Sequence, residues 1–159
     1  MPEDSSSKQL GDRGLGGSMS EGSLVGPLRA IVMSLLGLLG VQFVLGMYAN
    51  LDVSFATGPS GASGMDGMRT VMDHPGLALH MGVGFALVAL GIVAVVLAAR
   101  AGIHSALWLA AIGLAALVGA GIGGLTFVMD GQTSASSYVM AIGFLVGFSC
   151  YFAELTVTR

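Results

Sequence analysis

Apolar residues in this chain do not alternate with polar ones at the helical or the strand period. They run on without a break. Four such runs, at residues 28–51, 76–99, 105–129 and 137–155, contain almost no charged side chain. A soluble amphipathic helix would show a polar face every third or fourth residue, and a half-buried strand would alternate. Crossing the hydrocarbon core of a bilayer takes about 20 apolar residues, which every run supplies or nearly supplies. The pattern predicts an all-α, polytopic integral membrane protein: an antiparallel bundle of four transmembrane helices, within a membrane domain over residues 28–157.

The segments between the runs set the organisation. Residues 1–27 are rich in Ser, Gly and charge, too polar to bury a core, and read as a disordered tail. A cleavable signal would pass from a short basic region straight into a short apolar one. This tail is long and mixed in charge, so the first run is expected to stay as an anchor. In the loop after it, Gly58, Pro59, Gly61, Gly64 and Gly67 predict flexible turns. Asp73-His74-Pro75-Gly76 reads as a helix start, with Asp73 or His74 capping and Pro75 at the first helical position. The turn at 100–104 is short enough to make the second and third spans a hairpin.

Lys8, Arg13, Arg29, Arg100 and Arg159 all fall on one side of such a bundle, with Arg69 on the other. Basic segments are retained inside, which predicts a multi-pass protein of the cell membrane with both termini cytoplasmic. The two halves also align. Residues 41–52 match 119–130 without gaps, pairing Gly46 with Gly124 and Asp52 with Asp130, and residues 79–85 match 138–144. This predicts two pseudo-repeated hairpins. Gly37, Gly40, Gly84 and Gly91, with the spaced pairs Gly119/Gly123 and Gly143/Gly147, are expected where helices touch.

Charged residues make up only 9% of the chain, against about 25% in soluble domains. The net charge of −3 and six scattered basic residues exclude a phosphate-tracking surface, so nucleic acid is not an expected partner. Membrane lipid is, together with a second copy or a larger membrane complex. Cys150 is the only cysteine and reads as a small buried hydrophobe. A chain of 159 residues with four spans leaves no room for a separate catalytic domain, and no residue stands out as catalytic.

Chemistry is therefore sought among the few polar groups inside the spans. Gln42 lies near the middle of the first. His80 lies five residues beyond Pro75, about 7–8 Å below the outer end of the second at 1.5 Å per residue. Met47, Met129 and Met140 fall at similar depth, and thioether with imidazole suits heme iron or cuprous copper. His80, Met140 and Met47 are the candidate cofactor ligands, and Met65, Met68, Met72 and His74 of the outer loop are a second soft-ligand group. Asp52, Asp73 and Asp130 line the outer rim. At the inner rim Arg29, Arg100, His104 and Glu154 read as salt-bridge or lipid-headgroup contacts.

Gln42 and Gly46 in the first span, a glycine-bearing outer loop, His80 one to two turns into the second span and a second hairpin with a similar glycine motif resemble the four-helix half-unit of heme A synthase and related b-type cytochromes. The likeness covers about residues 35–155. It implies a heme b site and a respiratory-chain setting. That family has a histidine in the second hairpin, where this chain has Tyr138, Val139 and Met140; His80 with Met140, or His80 from two subunits, would complete the ligand set. Two functions are expected to compete: a heme- or copper-binding redox component with a site near the extracytoplasmic face, and a noncatalytic accessory or assembly subunit. A proton- or solute-coupled transporter is the third.

Overall fold

In a computed structural model, residues 24–53, 64–129 and 133–159 are described, with side chains from residue 68 in the second segment. The predicted tail lies outside them. The fold is an all-α four-helix bundle with one short additional helix: α1 (Val25–Asp52), α2 (Gly64–Asp73), α3 (Pro75–Arg100), α4 (His104–Met129) and α5 (Ser134–Val157). α1, α3, α4 and α5 are long and apolar enough to cross a membrane. They contain 28, 26, 26 and 24 residues, or roughly 36–42 Å at 1.5 Å per residue.

Local chemistry explains the boundaries. His74 is the extended residue before α3 and Pro75 opens the helix, as the sequence predicts, but no side chain caps it. Instead His74 Nδ1 donates to the Thr70 carbonyl at 2.9 Å, tying the last turn of α2 to the start of α3. α5 begins three residues earlier than the apolar run suggests, because Thr133 Oγ1 accepts from the Ser136 amide at 3.3 Å and caps an orphan donor. Between α3 and α4, Gly102 takes φ +70°, the left-handed conformation that ends helices.

The four long helices pack in the ring α1–α3–α4–α5, with α5 returning to α1. Each buries a narrow stripe at spacings of three and four: Leu28, Val32, Leu35 and Leu39 on α1; Leu87, Gly91, Ala94 and Ala98 on α3; Ala106, Ala110, Gly113 and Leu117 on α4; Gly143, Gly147, Tyr151 and Glu154 on α5. That spacing makes a coiled-coil-like seam. The outward faces keep large apolar side chains such as Phe85, Trp108 and Leu145 exposed, as a lipid-facing bundle should.

α2 corrects the expectation of turns across the whole outer loop. Its Val71 is buried among Ala49 and Val53 from the end of α1, Leu77 of α3 and Phe127 of α4, so this helix lies over the end of the bundle where α1 ends and α3 begins. The glycine expectation also divides. Gly91, Gly123, Gly143 and Gly147 are buried contact points, whereas Gly37, Gly40 and Gly119 have nothing within 4 Å of a would-be Cβ.

Candidate functional site

The half of the bundle where α1 ends and α3 begins holds a reciprocal polar lock between these two helices. Gln42 and Gly46 are one turn apart on α1, and His80 and Gly84 are one turn apart on α3. A Cβ at Gly46 would lie 3.3 Å from His80 Cε1, and one at Gly84 would lie 3.4 Å from Gln42 Nε2. Each polar side chain thus lodges where the facing helix lacks one. Gln42 Nε2 and His80 Nε2 meet at 3.3 Å. Gln42 Oε1 and His80 Nδ1 are buried with no hydrogen-bond partner among the described residues. Most buried polar atoms are paired, so these two stand out.

The second hairpin has a similar hollow filled by sulfur. A Cβ at Gly124 would be 3.5 Å from Met140 Sδ, and one at Gly123 would be 3.3 Å from Met140 Cγ. Met140 and Met81 pack against the same cluster, that of Val71, Leu77 and Phe127. The structure therefore brings Gln42 to His80, and Met81 to the cluster that also holds Met140; Met81, next to His80 on one helix, points about 100° away from it. Met47 is exposed, as are Met68 and Met72. The Met65 side chain and Asp130 lie outside the described residues, and Asp52 and Asp73 are exposed at helix ends. His74 is spent on the α2–α3 junction. Among the described residues no three His, Cys, Asp or Glu side chains gather.

The opposite half, where α1 begins and α5 ends, corrects the rim reading of Glu154. Its side chain is fully buried, and neither carboxyl oxygen has a hydrogen-bond partner among the described residues. Arg29 Nη1 donates instead to the Thr158 carbonyl at 3.4 Å. Tyr151 is also fully buried, and its hydroxyl is likewise unpartnered. The signal was present in the sequence: residues 143, 147, 151 and 154 are spaced by four, four and three, so Glu154 shares the face of two packing glycines. His104 and Arg100 are exposed.

No family model, curated protein or solved structure matches the chain. The class rests on the molecule itself: a multi-pass membrane protein, built as a four-helix bundle, with the bonded Gln42–His80 pair in one half and the buried Tyr151 and Glu154 in the other.

Proposed function

We propose that this chain is a membrane component that binds a single soft or borderline metal ion, of the copper class, through His80, with Gln42 as the residue that orients the ring. The observation that carries this reading is the orphaned His80 Nδ1 beside an engaged Nε2. If Gln42 turns its carbonyl to the ring, Nε2–H donates to it and Nδ1 presents a lone pair. A hydrogen bond to the far ring nitrogen is how ligating histidines are held. Copper bound there would supply one-electron chemistry or a delivery site, and the thioether of Met140 is the soft donor at this level.

The fit to heme b is poorer. The ring and amide already fill the room left by Gly46 and Gly84, so a porphyrin has no place between α1 and α3. The duplication of the two hairpins is proposed on the parallel seating of His80 at Gly46 and Met140 at Gly124. The cytoplasmic placement of both ends in the cell membrane is proposed on the basic residues at that end.

A second reading, a noncatalytic accessory subunit of a larger complex or a homo-oligomer, is favoured by an aromatic row on the bundle surface. Phe43 meets Phe144 at 5.3 Å across the α1–α5 seam. Phe148 and Phe152 continue the row along α5.

The test is the metal content and absorption spectrum of detergent-purified full-length protein, oxidised and dithionite-reduced. The expected result is about one copper per chain after cuprous loading, lost in His80→Ala. Gln42→Ala should weaken binding by roughly 10–100-fold, the usual effect of removing an orienting partner. A Soret band that shifts on reduction would replace copper with heme. Colourless, metal-free protein co-purifying with a stable partner would favour the accessory reading.

A further inference from the structure

The metal reading leaves one group unused: the fully buried carboxyl of Glu154. We propose that Glu154 is a proton-binding site, loaded and emptied through the end of the bundle where α1 begins and α5 ends, with Tyr151 closing it on the side of the membrane centre.

The surroundings decide what the carboxyl can hold. In this half of the bundle Leu28 and Val32 of α1, Ala94 and Ala98 of α3, and Ala106 and Ala110 of α4 are all fully buried, and none can donate a hydrogen bond from its side chain. The charged and titratable groups at this end do not neutralise Glu154 either. Arg29 on α1 is given to the Thr158 carbonyl; Arg100 of α3, His104 of α4 and Arg159 are exposed, and Cys150 is half-buried on α5. An ionised carboxylate here would need a counter-charge that no described residue supplies. The acid form costs far less to bury and amounts to a stored proton.

A metal cation is a poor alternative. Calcium takes six to eight oxygen ligands and magnesium an octahedral set. This site offers two carboxyl oxygens, since helical carbonyls are committed to the backbone. One proton needs only one of these.

The access route follows from position. Glu154 stands three residues before the last residue of α5, Val157, so about 4.5 Å along the axis separates it from the helix end. Over that end Thr158 is buried, its Oγ1 donating to the Glu154 carbonyl at 2.8 Å, and Arg29 lies on the Thr158 carbonyl. On the other side Tyr151, one turn deeper, is wedged against Gly91 and Gly113. Proton exchange therefore requires Arg29 and Thr158 to part, while the aromatic wedge stays in place.

The test uses the full chain in lipid vesicles and dicyclohexylcarbodiimide, an apolar reagent that reaches carboxyl groups inside membranes. A carboxylic acid adds across its N=C=N group, and the adduct rearranges to a stable N-acylurea. The mass gained is one whole carbodiimide, with no atom lost. The expected result is one adduct on the peptide containing Glu154, absent in Glu154→Gln, unaffected by sodium, and formed faster in Arg29→Ala. Absence of the adduct from folded wild-type protein would overturn the proposal. Protection by sodium would replace the proton with a cation, and an unchanged rate in Arg29→Ala would overturn the access route. The readout is the mass of one peptide, so it stands or falls independently of the metal site at His80.

Discussion

Gly143→Leu should force α4 and α5 apart and lower the unfolding free energy of the bundle by roughly 1–3 kcal/mol or more, the usual cost of overpacking a tight interior. A Cβ at this position would lie 2.7 Å from the Ala116 carbonyl oxygen, 2.8 Å from Ala120 Cβ and 3.2 Å from the Ala120 amide nitrogen. Two of these atoms are backbone and cannot swing aside. The better helix propensity of leucine offsets at most about 1 kcal/mol, so overpacking wins. Gly37→Leu makes the contrast, since nothing lies within 4 Å of a Cβ there. It should be neutral or slightly stabilising. Thermal or SDS-induced unfolding of the two variants in detergent, followed by circular dichroism, checks the pair; equal loss in both would place the tight seam elsewhere.

Tyr151→Ala is expected to cost about 2–3 kcal/mol, chiefly the cavity part of deleting a large buried side chain. The ring occupies the hollow at Gly113, where a Cβ would sit 2.9 Å from Cζ, and its hydroxyl reaches the hollow at Gly91, where a Cβ would sit 2.9 Å from the oxygen. One side chain of α5 thereby fills gaps in both α3 and α4. An unfolded span remains in lipid, so no transfer from water adds to the cost, and lost packing carries the effect. Tyr151→Phe keeps the ring and removes an oxygen that has no partner among the described residues. It should be at least as stable as the wild type, because an unpaired buried hydroxyl is a cost. The same unfolding measurement gives both signs, and a Phe variant as weak as Ala would show that the hydroxyl is bonded.

The spans were legible because hydropathy alone marks them. The bundle's interior was not, because every face of these helices is apolar. In a soluble helix the polar face identifies the buried one. Here Leu35, which is buried, and Val44, which is exposed, belong to the same residue class. The stripe at Gly143, Gly147, Tyr151 and Glu154 shows only once small residues are read as contact points along one helix face. Gly37 and Gly40 show why composition was not enough: they resemble packing glycines but face outward. α2 was hidden by the glycines around it, which suggested turns, while Val71 in its last turn supplied the docking contact.

For the candidate site, Gln42 and His80 could each be singled out as polar groups inside apolar runs. Their pairing could not, since it depends on the register between α1 and α3, which Gly46 and Gly84 set by making room. Glu154 was misplaced for a different reason. Its place near the end of the last apolar run suggested the rim, but the buried Thr158 extends the buried region beyond it.

In the proposed metal site, Gln42 leaves His80 Nδ1 as a free donor atom. Nitrogen NMR of protein labelled at its three histidines, with His80→Gln used for assignment, reports on both ring nitrogens directly, and silver(I) serves as a diamagnetic stand-in for cuprous copper. Metal-free protein should show a protonated Nε2 and a bare Nδ1, with the Nδ1 resonance moving as silver is added. A proton on Nδ1, or a resonance indifferent to silver, would contradict this arrangement.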